Sequence, residues 1–138
     1  MSALRYMLDT NICIYLMRHH PPQVIARFAE CDFGDVVMSS ITLAELRFGA
    51  LVSSQRTKDD RALAGLLEDV PALPFEDRAA ASYATVRAAA PERRRDALDR
   101  LIAAHAIAAD CVLVTNNEAD FRVYAGLALE NWVTSAGT

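Results

Sequence analysis

Short apolar runs, each broken off by a turn or helix signal, constrain this chain more than any other feature of its sequence. LRYML at 4–8, DVVMS at 35–39, VPALPF at 70–75, CVLVT at 111–115 and LALENW at 127–132 are strand-length segments. Between them, apolar residues recur at helical spacing over 11–19, 23–30, 43–52, 59–68, 76–89, 97–108 and 118–122. Strands that alternate with amphipathic helices pack as a three-layer α/β/α domain around a mainly parallel sheet. Pro71 and Pro74 cannot donate to a sheet ladder, so the 70–75 run is expected at an edge. A length of 138 residues suits one domain with a real apolar core, and 1–138 reads as a single unit.

In open parallel sheets, ligands bind beyond the carboxyl ends of the strands, so the residues that follow each apolar run carry most weight. Asp9 closes the first run, Glu45 lies on the turn after the second, Asp99 opens the long 97–108 helix and Asp120 follows the fourth run. Each has a structural alternative. Asp9 reads equally as a helix N-cap. Thr42 with Glu45 three positions later has the form of a capping box opening the 43–52 helix, which would put Glu45 in the first turn. Asp99 and its neighbour Asp96 favour a helix dipole, and Asp120 suits a surface loop. Four acids converging on one sheet edge nevertheless make a divalent-metal pocket suited to phosphodiester hydrolysis, which caps alone do not explain.

Charge and composition narrow the partners. A formal net charge of -4 argues against a broad basic face for long nucleic acid, so phosphate must be met by local arginines and a metal ion. No apolar stretch approaches the roughly 18 residues that cross a bilayer, and the first residues lack a signal peptide's apolar region, so a cytoplasmic location is expected. Cys13, Cys31 and Cys111 have neither metal-ligand spacing nor an even count, and read as buried or semi-buried apolar filler. His105 lies six positions after Asp99, about 120° away around an ideal helix, and is expected to be packed or hydrogen-bonded. His19 and His20 read as helix C-terminal caps. Trp132 and Tyr124 are expected to pack internally, with base stacking the less common use.

Several segments together resemble one family: MLDTNICIYLM, SSITLAELRFGA, DALDRLIAAHAIA, VTNNEADFRV and the terminal LENWV. In order and spacing, over essentially the whole chain, they are similar to PIN-domain ribonucleases of the VapC toxin type. The resemblance implies that Asp9, Glu45 and Asp99 are catalytic metal-binding acids and that Asp120 is a further acid of the same pocket. It makes Thr10, Asn11, Ser39, Thr115, Asn116 and Asn117 supporting or loop-anchoring residues. Many relatives carry a GRPIG-like loop before the third acid, whereas this chain has PERRRDALD. Arg93, Arg94 and Arg95 there are candidates for RNA phosphates, against the plainer reading of a solvated turn paired with Glu92 and Asp96.

Clustered carboxylates repel one another at neutral pH, and an all-oxygen site without cysteine or clustered histidine suits Mg²⁺ or Mn²⁺. A metal-activated water would leave a 5′-phosphate and a 3′-hydroxyl. Apolar residues on the first two helices and on 43–52 exceed what one small sheet needs, leaving room for a groove that accepts another chain's helix. The resemblance implies a VapB-like antitoxin there, a homodimer, a toxin–antitoxin hetero-oligomer, an RNA substrate such as a tRNA anticodon loop, and operator DNA reached only through the antitoxin. No membrane partner is expected. A non-catalytic adaptor and a nuclease acting on DNA are the alternative readings.

Overall fold

The computed structural model describes residues 5–90 and 97–134. Five parallel strands form one sheet in the order β3-β2-β1-β4-β5. They are β1 (Tyr6–Leu8), β2 (Val36–Ser39), β3 (Ala72–Leu73), β4 (Val112–Val114) and β5 (Leu129–Glu130). Among the described residues, seven helices connect them: α1 (Thr10–Arg18), α2 (Pro22–Ala29), α3 (Ser40–Leu51), α4 (Arg56–Asp69), α5 (Asp77–Ala89), α6 (Ala97–Ala108) and α7 (Glu118–Phe121).

Alternation along the strands builds the three layers. Tyr6, Leu8, Val36, Met38 and Val114 face one apolar layer with Ile12, Leu16, Val24, Leu46, Leu63 and Leu66 of α1 to α4. Met7, Val37 and Leu113 face the other, with Val86, Ile102, Ala103 and Ala106 of α5 and α6 and Phe121 of α7. Both faces of the central strands are therefore dry, as a parallel sheet covered on two sides requires.

The paired strands are shorter than the apolar runs that announce them. β3 keeps only two residues and lies at an edge: Pro71 contributes a carbonyl, which accepts from Met38 N–H at 3.0 Å. The other edge, β5, is tied down by a side chain. Arg27 of α2 donates to Glu130 at 2.9 Å and to the Tyr6 hydroxyl at 3.0 Å, and lies over the Tyr6 and Trp132 rings. The Trp132 indole N–H donates to the same Glu130 oxygen at 2.8 Å. Trp132 and Tyr124 are both 4% exposed, so their role is packing.

The start of α3 departs from the expected capping box. Ser39, not Thr42, is the N-cap: its Oγ accepts from Ile41 N–H at 3.0 Å, and the helix begins three residues before 43. Thr42 is fully buried, and Glu45 falls in the second turn. Likewise α4 opens at Arg56, three residues before the expected start at 59. At the end of α1, His19 takes the left-handed cap conformation, φ 56° and ψ 37°, with its backbone N–H on Leu16 O.

Candidate active site

Chain order runs from β1 outward through β2 to β3, then crosses back to β4 beside β1. That reversal opens a crevice beyond the carboxyl ends of β1 and β4, where open α/β sheets place their ligands. Asp9 follows β1 and Thr115 follows β4, so both line that crevice.

Asp9 is a helix cap and a buried acid at once. Its Oδ1 accepts from Ile12 N–H at 3.0 Å at the head of α1, and the residue is 5% exposed. Burial pushes its carboxyl up from 3.8 to about 6; hydrogen bonds from the Thr115 hydroxyl and the Ile12 N–H oppose the rise, and the charge of Glu45 adds to it. Thr115 Oγ1 also accepts from Asn117 N–H at 2.9 Å, which leaves its hydroxyl hydrogen for Asp9.

Glu45 comes from α3 and is held from α1: Thr10 Oγ1 donates to its Oε1 at 2.6 Å. Asp9 and Glu45 are thus two mutually repelling acids, each held by a hydrogen bond from the first turn of α1. Asp120 in α7 accepts from Asn117 Nδ2 at 2.6 Å. Asn116 Nδ2 donates to the Tyr15 hydroxyl at 2.8 Å and ties the loop after β4 to α1. Asp99 is half-buried in the first turn of α6. Asn11 is exposed on α1. Arg93, Arg94 and Arg95 lie outside the described residues.

The structure brings Asp9, Glu45, Thr10 and Thr115 together, and separately Asp120 with Asn117. Among the described residues, no three His, Cys, Asp or Glu side chains stand close enough to share an ion. The donor chemistry still fits a hard divalent cation: the nearby oxygens are carboxylate and hydroxyl, and a carboxyl raised by burial and by a second acid is relieved by positive charge. Cys13 and Cys111 are buried and Cys31 is half-buried; burial pushes their thiols up, as expected of filler.

Sequence reasoning missed one partnership near this site. His105 of α6 is packed as expected, 3% exposed, but its Nδ1 lies 2.7 Å from Ser39 Oγ, the cap of α3. The two residues are 66 positions apart, and no local pattern signals the pairing.

Known proteins with this arrangement decide the family. The PIN domain family model matches residues 6–127. The chain belongs to the VapC-like toxins of the PIN-domain family. It is 34% identical over 131 residues to the tRNA(fMet)-specific endonuclease VapC of Shigella flexneri, covering 94% of this chain and 98% of the relative. Among solved structures, it is similar to VapBC2 from Rickettsia felis bound to a DNA fragment from their promoter, with a TM-score of 0.82, 32% identity and coverage of 94% and 99%. DNA-bound VapBC from Salmonella typhimurium gives a TM-score of 0.84 at 31% identity, covering 94% of this chain and 98% of that one. This VapC-like chain therefore carries the PIN-domain fold, with Asp9 and Thr115 just beyond the carboxyl ends of β1 and β4.

Proposed function

We propose that the chain is a divalent-metal-dependent endoribonuclease and the toxin of a toxin–antitoxin pair, acting in the cytoplasm on structured RNA such as a tRNA anticodon loop. The observation that carries this reading is the buried Asp9 carboxyl, raised to about 6 beside Glu45 at the crevice between β1 and β4. Asp9, Glu45, Asp99 and Asp120 would hold Mg²⁺ or Mn²⁺. When bound, such an ion supplies acidification of a water and neutralisation of charge on the phosphate oxygens. The chain's own residues prepare that site. Thr115 and the Ile12 N–H hold the Asp9 carboxylate in one orientation, Thr10 holds Glu45, and Asn117 holds Asp120. A water activated among these acids would leave a 5′-phosphate and a 3′-hydroxyl. The likeness to a tRNA(fMet)-specific endonuclease supports tRNA, and initiator tRNA within it, as the substrate to try first.

The antitoxin reading has its own support. Ile12, Leu16, Val24 and Leu46 are consumed by the core, but Phe48, Leu51 and Val52 of the α3 end are 65%, 55% and 64% exposed. A groove of about 630 Å³, lined by Ile14, Met17, Glu45, Leu46 and Lys58, runs from Glu45 between α1, α3 and α4. A VapB-like helix laid there would cover apolar surface and bring a basic side chain to the acids. It would also carry the complex to operator DNA, and a homodimer would pair two such sites.

The test is to incubate antitoxin-free protein with total cellular RNA in Mg²⁺ or Mn²⁺ and sequence the 5′-phosphorylated ends. Discrete ends that vanish with chelator are expected. Folded protein that yields none would favour a non-catalytic adaptor, and cleavage of DNA in place of RNA would reassign the substrate.

A further inference from the structure

Glu45 and Asp99 come from different helices, so their separation depends on how α3 and α6 are joined. The joint visible in the structure is buried and polar. Ser39, at the end of β2 and the head of α3, is 0% exposed, and His105 of α6 is 3% exposed. His105 Nδ1 and Ser39 Oγ are 2.7 Å apart. The Pro74 carbonyl faces the same imidazole, which suits a neutral ring that donates there and accepts the Ser39 hydroxyl hydrogen at Nδ1. Ser39 Oγ meanwhile accepts from Ile41 N–H at 3.0 Å.

Neighbouring contacts lock the same joint. Phe75 packs edge-on to the His105 ring with centroids 5.3 Å apart, and its N–H donates to Ser40 Oγ at 3.0 Å. The 74–75 segment, the first turn of α3 and α6 thus meet at one imidazole. Burial holds that imidazole below its ordinary range, which keeps it neutral and keeps Nδ1 an acceptor at neutral pH.

We propose that His105 is a positioning residue for the acidic site, fixing through Ser39 the separation between Glu45 on α3 and Asp99 on α6. The inference rests on the reading of those acids as metal-holding groups. A purely structural role predicts something different. Replacing Ser39 and His105 by apolar groups also removes the Ile41 cap and should lower stability, a loss that by itself leaves metal affinity unchanged, whereas release of the joint would let the two helices settle at another spacing.

The experiment is calorimetric titration of the full chain with Mn²⁺ at pH 7.5, beside urea denaturation, for wild type, Asp9→Asn, His105→Leu, His105→Asn, Ser39→Ala and the Ser39→Ala/His105→Leu double variant. Wild type should bind and Asp9→Asn should not. His105→Leu should weaken binding about tenfold, and His105→Asn, which keeps an acceptor at the Nδ1 position, should recover to within about threefold of wild type. The double variant should bind no more weakly than His105→Leu, because both changes remove the same Ser39–His105 bond between α3 and α6. The proposal is overturned if folded His105→Leu binds Mn²⁺ like wild type, if the two losses simply add, or if affinity falls only in step with urea stability. Should His105→Leu not fold, weakened binding by Ser39→Ala beside near-normal His105→Asn supports the proposal, and equal binding by the two overturns it. Failure of wild type itself to bind overturns the metal reading, and this inference with it.

Discussion

Asp9 shows how one residue can serve the fold locally and work against it overall. Its Oδ1 caps α1, while burial and Glu45 raise its carboxyl from 3.8 to about 6. The folded state therefore holds the proton more tightly than the unfolded state does. Between those values, stability falls as pH rises, and above about 6 the full cost of the buried anion is present. Asparagine caps a helix as well as aspartate does. Asp9→Asn should consequently stabilise the metal-free protein at pH 7.5 by about 1–3 kcal/mol, since one pKa unit corresponds to about 1.4 kcal/mol. Urea denaturation at pH 7.5 and near pH 4 tests this: the gain should shrink sharply at the lower pH, and a loss of stability at pH 7.5 would contradict the assignment. Thr10→Val keeps shape but removes the 2.6 Å bond to Glu45. It should lower RNA cleavage roughly tenfold with little change in stability, read from single-turnover rates beside the melting temperature.

Elements were legible where their signals are local. The 97–108 helix was read with its observed C-terminal end, and the edge position of the 70–75 run followed from its two prolines. The head of α3 was not legible. Ser39, Ser40 and Thr42 all suit a cap, and the choice falls to Ser39 because β2 ends there and His105, far along the chain, takes its hydroxyl. The strap over β5 is equally non-local: nothing around Arg27 announces Glu130, Tyr6 or Trp132. Arg27→Ala should cost about 1–3 kcal/mol through the lost charged hydrogen bonds and ring contacts. Lysine should recover only part, because it lacks the flat guanidinium that lies over the Tyr6 and Trp132 rings. Hydrogen exchange should show the Leu129–Glu130 amides losing protection before those of β4, and uniform loss across the sheet would argue against a local strap.

At the scale of the whole molecule, alternating runs are enough to imply a parallel three-layer domain, but not the strand order. The crossing from β3 back to β4 creates the crevice, and it brings Asp9 to Thr115 across more than a hundred residues. The four acids were named from the sequence; that Asp9 and Glu45 form the close pair, while Asp120 pairs with Asn117, is a fact of packing. Among the described residues, no helix is long and apolar enough to cross a membrane. Leu113 lies in β4, fully buried in the layer formed with α5, α6 and α7. Leu113→Ala should cost about 2–5 kcal/mol in urea denaturation, and a much smaller cost would mean that the layer repacks.

On the proposed reading, buried Asp9 and half-buried Glu45 are the working part of a metal-dependent ribonuclease. The most direct test is the single-turnover rate at which folded Asp9→Asn cleaves a structured tRNA in Mg²⁺, beside wild type. A fall of at least about 10²-fold is expected, as when a group that stabilises transition-state charge is removed, in a protein that is no less stable than wild type. Cleavage near the wild-type rate by the folded variant would contradict that reading.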